Sequence, residues 1–168
     1  MNLSTIFISY RRRESSAFAL LVLARLKEHG LDAFLDMTIK PGDTRYAHIK
    51  EQIESCDFFI VLLNHETLDS HVVRDEIQWA MDAKKVILPI THPHFEYAVY
   101  REKRTQEGKF EVSPEMDAML TNTHTIRVLE ASALAYNTAI VELSIASASP
   151  HDARLFNTNI TQDKLRKS

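Results

Sequence analysis

The chain has 168 residues, 45% of them hydrophobic and 26% charged, with a formal net charge of −3. That is enough for one domain with a proper core, and it lacks the basic excess of a nucleic-acid binder. The lone Cys56 excludes an internal disulfide framework; no apolar stretch approaches the roughly 20 residues that span a bilayer, and no secretory leader precedes the first strand, so the expected compartment is the cytosol.

Residues 5–9 (Thr-Ile-Phe-Ile-Ser) read as a strand, followed by Tyr10 and a basic loop of Arg11, Arg12 and Arg13. From Ser15 or Ser16 to His29 the pattern is helical, with a serine to cap the start and Gly30 to take the left-handed conformation at the end. Residues 17–26 are apolar on nearly every side except Arg25, which predicts a well-buried helix. Residues 31–35 form a second strand that ends at Asp36 and leads into a loop containing Pro41, Gly42 and Asp43. Asp43 or Thr44 then caps a helix in which Tyr46, Ile49 and Ile53 recur at helical spacing.

Residues 57–90 are the most informative. An apolar run (58–63), a polar turn (64–69), an amphipathic segment (70–84) and a second apolar run (86–90) are the pattern of strand, crossover helix and parallel strand, because strands buried on both faces are continuously apolar. Residues 91–113 are polar and long for a connection, which predicts a mobile or functional loop with room for a short helix. Residues 114–120 read as a short helix opened by Ser113 and Pro114, 123–129 as a fifth strand and 131–143 as a closing helix. Periodicity ends there. The chain divides into a domain over 1–145 and a tail or linker over 146–168.

Five strands alternating with helices predict a three-layer α/β, flavodoxin-like fold: a five-stranded parallel sheet in the order 2-1-3-4-5 flanked by helices. The topological switch of that order lies between the first and third strands, and ligands of such sheets sit outside the carboxyl ends there. Tyr10 and Arg11 leave the end of the first strand, and the turn after the third leads to Glu76, so both approach one crevice. On a helical wheel Val73, Ile77, Ala80 and Met81 form the apolar stripe and Asp75 points to water. Glu76 falls at the margin with Val72, Trp79 and Ala83, where partial cover by hydrocarbon raises a carboxyl pKa and suits it to chemistry; the alternative is a boundary glutamate reaching solvent or a nearby lysine.

The boxes Ile6-Phe7-Ile8-Ser9-Tyr10-Arg11, Phe34-Leu35-Asp36 with Pro41-Gly42-Asp43, residues 58–63 and residues 86–90 together resemble a TIR domain, nearest to the NAD-cleaving bacterial and animal neuronal members. The resemblance implies that Glu76 is the catalytic residue, at the matching spacing after Ser70, with Val72 where the family usually has Trp and Trp79 able to cover some of the same surface. NAD+ is then substrate and no cofactor is expected. Cleavage passes through a ribosyl cation, and because the nicotinamide leaving group is already cationic, one carboxylate suffices without a general acid. Water gives ADP-ribose; attack by adenine gives a cyclic product.

Arg11 and Arg12 are candidates for the diphosphate or ribose, with Arg13 in a solvated loop; Tyr10 and Tyr46 are candidates to stack on a base, and Asp36 to bond a loop amide or orient an arginine. His65, His92 and His94 lack the further ligands of a metal site. With only Gly30, Gly42 and Gly108 there is no GxGxxG and no P-loop, which speaks against redox use of NAD. The first functional expectation is an assembly-gated NAD glycohydrolase or cyclase in immune, anti-phage or cell-death signalling, self-associating through TIR–TIR contacts that include the loop around residues 36–46, with a separate sensor domain or protein as partner and no direct contact with nucleic acid or membrane. The second is a non-enzymatic TIR scaffold. The third, a secreted effector, has no signal in the sequence.

Overall fold

In the computed structural model, which describes residues 4–36 and 43–147, the continuous apolar runs become strands: β1 (Thr5–Ser9), β2 (Asp32–Leu35), β3 (Phe58–Leu63), β4 (Val86–Thr91) and β5 (Ile126–Arg127). They pair in parallel in the order β2-β1-β3-β4-β5. The register sets Ser9 of β1 beside Val61 of β3, and Leu63 beside Thr91 of β4. Every residue of β3 is buried, which is why its sequence shows no alternation. One face of the sheet, with Ile6, Ile8, Ile60 and Leu62, packs on α1 (Arg12–Glu28) and α6 (Ala133–Ala146); the other, with Phe7, Phe59, Val61 and Leu63, packs on α2 (Asp43–Ser55), α3 (His71–Asp82), α4 (Tyr97–Gln106) and α5 (Pro114–Asn122). The layers and strand order are those the sequence predicts. The loop over residues 37–42, part of the expected 36–46 contact, and the tail from 148 onward lie outside the described residues.

α1 starts earlier than the serine pattern predicts. Arg11 stands at the N-cap position without a side-chain cap, and Arg12 and Arg13 form the first helical turn rather than a loop. Neither serine is free to cap: the buried Ser15 shares a 2.9 Å hydrogen bond with His92 Nε2, and the Ser16 hydroxyl bonds back to the Arg12 carbonyl, as a serine inside a helix does. The helix is also buried on one face only. Leu20 and Leu21 are open to solvent, because the sheet and α6 cover only the side carrying Phe18, Ala19, Val22 and Leu26. Gly30 has φ +76°, the left-handed stop the sequence calls for.

The segment 91–113 does hold the short helix the sequence left room for, α4, and its flanks are pinned rather than loose. Its charges hide three apolar anchors, Phe95, Tyr100 and Val112, all buried against the sheet. Asp69, at the end of a 3-10 turn (Thr67–Asp69), ties α4 down: Arg104 donates to it from Nε at 2.9 Å and Nη2 at 2.6 Å, and the Tyr100 hydroxyl donates at 2.9 Å. Burial alone would raise the Asp69 pKa, but the bonds from Arg104 and Tyr100 outweigh it and hold it below its ordinary 3.8. That stabilisation is therefore present above about pH 4 and lost as pH falls through the lowered folded value. Arg104→Ala is expected to cost about 2 kcal/mol and to speed hydrogen exchange of the α4 amides before those of β3.

β5 is two residues long instead of seven. It pairs at Ile90–Ile126 and Thr91–Arg127, and one further bond runs from the Val128 N–H to the Thr91 carbonyl at 3.1 Å, the chain of β4 then turning away through His94 at φ +67°. Ser132 caps α6, accepting from the Ala135 N–H at 3.2 Å, and the helix runs three residues past its expected end because Ala146 is still buried on the core. Cys56 is buried after α2 and donates its S–H to the Ile53 carbonyl at 3.1 Å; burial pushes its thiol pKa up to about 11. No helix among the described residues is long and apolar enough to cross a membrane.

Candidate functional site

β1 ends at Ser9, on the carboxyl edge of the sheet and between the two strands where connectivity reverses. The same edge receives Tyr10 and the start of α1, Asp36 just past β2, Arg45 in the first turn of α2, and the N-terminal turns of α3. α3 is fixed there by Ser70, whose hydroxyl accepts from the Val73 N–H. Between these elements lies a cavity of about 330 Å³, lined by Tyr10, Arg11, Arg12, Arg13, Asp36, Arg45, Ser70, Val72 and Glu76 over the apolar floor of Phe7, Ile8 and Val73. A larger hollow of about 530 Å³ between β5 and α6 is walled by Leu129 and Leu134; its acids are the exposed Glu130 and the half-buried Glu142 beside His124.

Glu76 is buried more deeply than a stripe margin suggests, with 6% of its surface exposed. The reason lies in β1: Ser9, 1% exposed, donates its hydroxyl to Glu76 Oε2 at 2.5 Å and makes deep burial tolerable. Burial pushes the carboxyl pKa up to about 7; Asp36 raises it further, while the Ser9 hydrogen bond, Arg45 and Arg12 oppose the rise. Burial wins.

The arginines are held rather than loose. Arg12 Nη2 and Arg45 Nε each lie 3.0 Å from Asp36 Oδ2, and Arg45 Nη2 bonds the same oxygen. Asp36 thus orients two arginines, one of its two expected roles. Arg11 Nη1 donates to the Glu66 carbonyl at 2.6 Å and pairs with the Glu66 carboxylate at 3.3 Å. The Tyr10 hydroxyl donates to the Asp36 carbonyl at 3.2 Å, and burial raises its pKa. Arg13 lines the mouth and is exposed.

Tyr10, Arg11, Arg12, Asp36 and Glu76 therefore meet in one cavity. Tyr46 and Trp79 do not line it; they meet each other edge to face at 6.0 Å on the neighbouring surface of α2 and α3. Val72 is in the wall itself, so that wall is aliphatic. Two contributors escaped the sequence reading. Ser9 looks like the last residue of a strand box, and its signal was the one hydroxyl in an otherwise apolar end of β1; Arg45 follows the loop by two residues, where a helix-turn arginine ordinarily reads as solvated. Of the histidines, His92 is held by Ser15 and by the Phe18 ring, and burial, aided by His65, lowers its pKa. Among the described residues no group of three or more His, Cys, Asp or Glu is placed to hold a metal.

Such a site can stabilise positive charge at its floor, where a carboxylate in a water-poor setting acts strongly, and hold an anion at its rim. Burial moves the ionisation of this carboxyl up toward neutral pH, the range in which a group can act either charged or neutral.

Known structures share this architecture. The TIR domains of the activated Roq1 resistosome that directly recognises the effector XopQ superpose with a TM-score of 0.50 at 17% identity, covering 98% of each chain. The RPS4 and RRS1 TIR domain heterodimer gives 0.53 at 9% identity, covering 85% of this chain and 94% of that one. The CMP N-glycosidase BcmB of Clostridium botulinum gives 0.51 at 15% identity, covering 83% and 98%. No curated protein matches by sequence. Residues 6–107, which carry β1 to α4 and every side chain that lines the cavity, match the TIR domain family; the chain belongs to that family.

Proposed function

We propose that the protein is an NAD+ nucleosidase, a glycohydrolase or cyclase that cleaves the bond between nicotinamide and ribose. The observation that carries the reading is the Glu76 carboxylate, buried at the floor of a cavity whose rim holds Arg11, Arg12 and Arg45. In the ionised form it accepts from ribose hydroxyls and stabilises the oxocarbenium ion as nicotinamide departs with the bonding electron pair. Water then adds to C1′ and loses a proton to give ADP-ribose, or the adenine of the same molecule adds to give a cyclic product. The rim arginines meet the diphosphate. N-glycosidic chemistry is named for a structural neighbour, the Clostridium botulinum CMP N-glycosidase, which supports the reaction class.

The cavity lies at the small end of ligand pockets, which run from about 300 to 1,000 Å³. It suits one nucleotide half of NAD+ and leaves the other on the open side, where a second TIR domain would complete the site. Two of the structural neighbours are named as a resistosome and a heterodimer, which supports TIR–TIR association; in this reading association is the route to activity, in immune or cell-death signalling in the cytosol under the control of a sensor domain or protein. NAD+ is consumed as substrate and no cofactor takes part.

The test is NAD+ consumption by the purified protein at low and high concentration, with products separated by chromatography and Glu76→Ala alongside. Turnover per molecule is expected to rise with protein concentration and to vanish in the variant. The competing reading, a scaffold acting only by TIR–TIR contact, is favoured by the aliphatic Val72 wall; an assembled sample that leaves NAD+ untouched would overturn the nucleosidase reading in its favour.

A further inference from the structure

We infer that Ser9 is the positioning residue of this site, its hydroxyl holding one oxygen of the Glu76 carboxylate so that the other faces the ligand. The two residues lie 67 positions apart in sequence and come together only because the first strand of the sheet ends beneath α3. Ser9 is hydrogen-bonded into the middle of the sheet, β1 being paired with β2 on one side and β3 on the other. A hydroxyl on so fixed a backbone restrains a glutamate side chain that otherwise has three rotatable bonds. Among the described residues, Ser9 is the one hydrogen-bond donor to the Glu76 carboxylate, and it takes Oε2. Oε1 remains for the cavity that Glu76 lines.

The groups facing Glu76 come from the elements packed around it: Ser9 from β1, Tyr10 just past it, Arg12 from α1, Asp36 after β2 and Arg45 from α2. Arg12 and Arg45 are both engaged with Asp36, so the nearest direct support for the charge on Glu76 is the Ser9 O–H. An ionised carboxylate accepts that proton donor, and a hydrogen bond to the charged form favours it. Ser9 therefore does two things at once: it orients the carboxylate, and it keeps more of it ionised at neutral pH than burial would allow.

The kinetic part of this inference rests on the NAD+ nucleosidase reading; the titration part does not. The experiment is a 13C NMR pH titration of the glutamate side-chain carboxyl carbons in the full chain without ligand, with Glu76→Gln to assign the resonance, run beside pH profiles of NAD+ turnover. In Ser9→Ala the Glu76 midpoint is expected to rise by about one pH unit from its value near 7. The ionised fraction at pH 7 then falls about fivefold, kcat falls at least that far with KM little changed, and the rising limb of the profile moves to higher pH. Ser9→Thr, which keeps the hydroxyl, restores the midpoint and the limb. Should Ser9→Ala fail to fold, Ser9→Cys, similar in shape and a weak donor, carries the same titration, with a smaller rise expected.

A folded Ser9→Ala protein whose Glu76 midpoint is unmoved overturns the inference, whatever its activity. If the midpoint rises while even the parent protein leaves NAD+ intact at high concentration, Ser9 positions Glu76 and the nucleosidase reading is what fails.

Discussion

Glu76→Gln is expected to yield a protein that no longer turns over NAD+ and is harder to unfold at pH 8. The loss follows from removing the one negative charge at the cavity floor: a preorganised contact to a developing charge is worth about 3 kcal/mol, or on the order of 10²–10³ in rate. The gain follows from the same burial. In the folded protein the Glu76 pKa is raised to about 7 from an ordinary 4.5, so between those values the folded state binds more protons than the unfolded chain. The protonated group's contribution to stability is fully present below about pH 4.5 and is lost as pH rises through 7. Above that the buried carboxylate costs roughly 3 kcal/mol. Glutamine carries no charge at any pH, and its amide oxygen accepts from Ser9. Thermal melts from pH 4 to pH 8 check the account: the variant should melt on the order of 5–10 °C above the parent at pH 8, and the gap should close by pH 4. A constant gap, or a lower melting point at pH 8, would mean that the charge of Glu76 is not what strains this site. The trade of stability for activity is a common one at functional positions.

Asp36→Ala is expected to leave kcat near its parent value and to raise KM for NAD+ about tenfold. Asp36 Oδ2 is the shared acceptor for Arg12 and Arg45, each at 3.0 Å. Without it two guanidinium groups lose the contact that aims them, and repulsion between them adds to the disorder. A tenfold change corresponds to about 1.4 kcal/mol of lost binding, modest for charge-assisted bonds to phosphate. The substitution also withdraws a negative charge that raises the Glu76 pKa, so the rising limb of the pH profile should move to lower pH, opposite to the shift expected for Ser9→Ala. Steady-state kinetics from pH 5 to pH 9 read both effects. An unchanged KM would remove the Arg12–Arg45 pair from the substrate contacts.

The sheet was legible because burial on both faces forces uninterrupted apolar runs, as in Phe58 to Leu63, and because crossover helices separate the strands at regular spacing. The failures share a cause. The bounds of the helix Tyr97 to Gln106 were not legible because most of its residues are polar, and what holds it is the distant Asp69 together with the buried Phe95, Tyr100 and Val112 rather than its own periodicity. β5 is short because its partner turns away at His94, which no local pattern announces. The candidate site divides likewise. Glu76 was marked by its place on a helix, but the partners that tune it, Ser9 and Arg45, come from other elements, and only the strand order brings them to it. Tyr46 was read from residue type and Trp79 from its place beside Glu76 on the helix; in space they meet each other.

The interior placement of Cys56 has a practical consequence. It is the only sulfhydryl in the chain, and burial holds it protonated to about pH 11, so at neutral pH it presents neither a thiolate nor an accessible sulfur to an alkylating dye. A cysteine introduced at the solvent-facing Asp75, one residue from Glu76, would take up a maleimide fluorophore selectively. Changes in its emission would then test in real time whether domains dock over the cavity, without first stripping the protein of native cysteine.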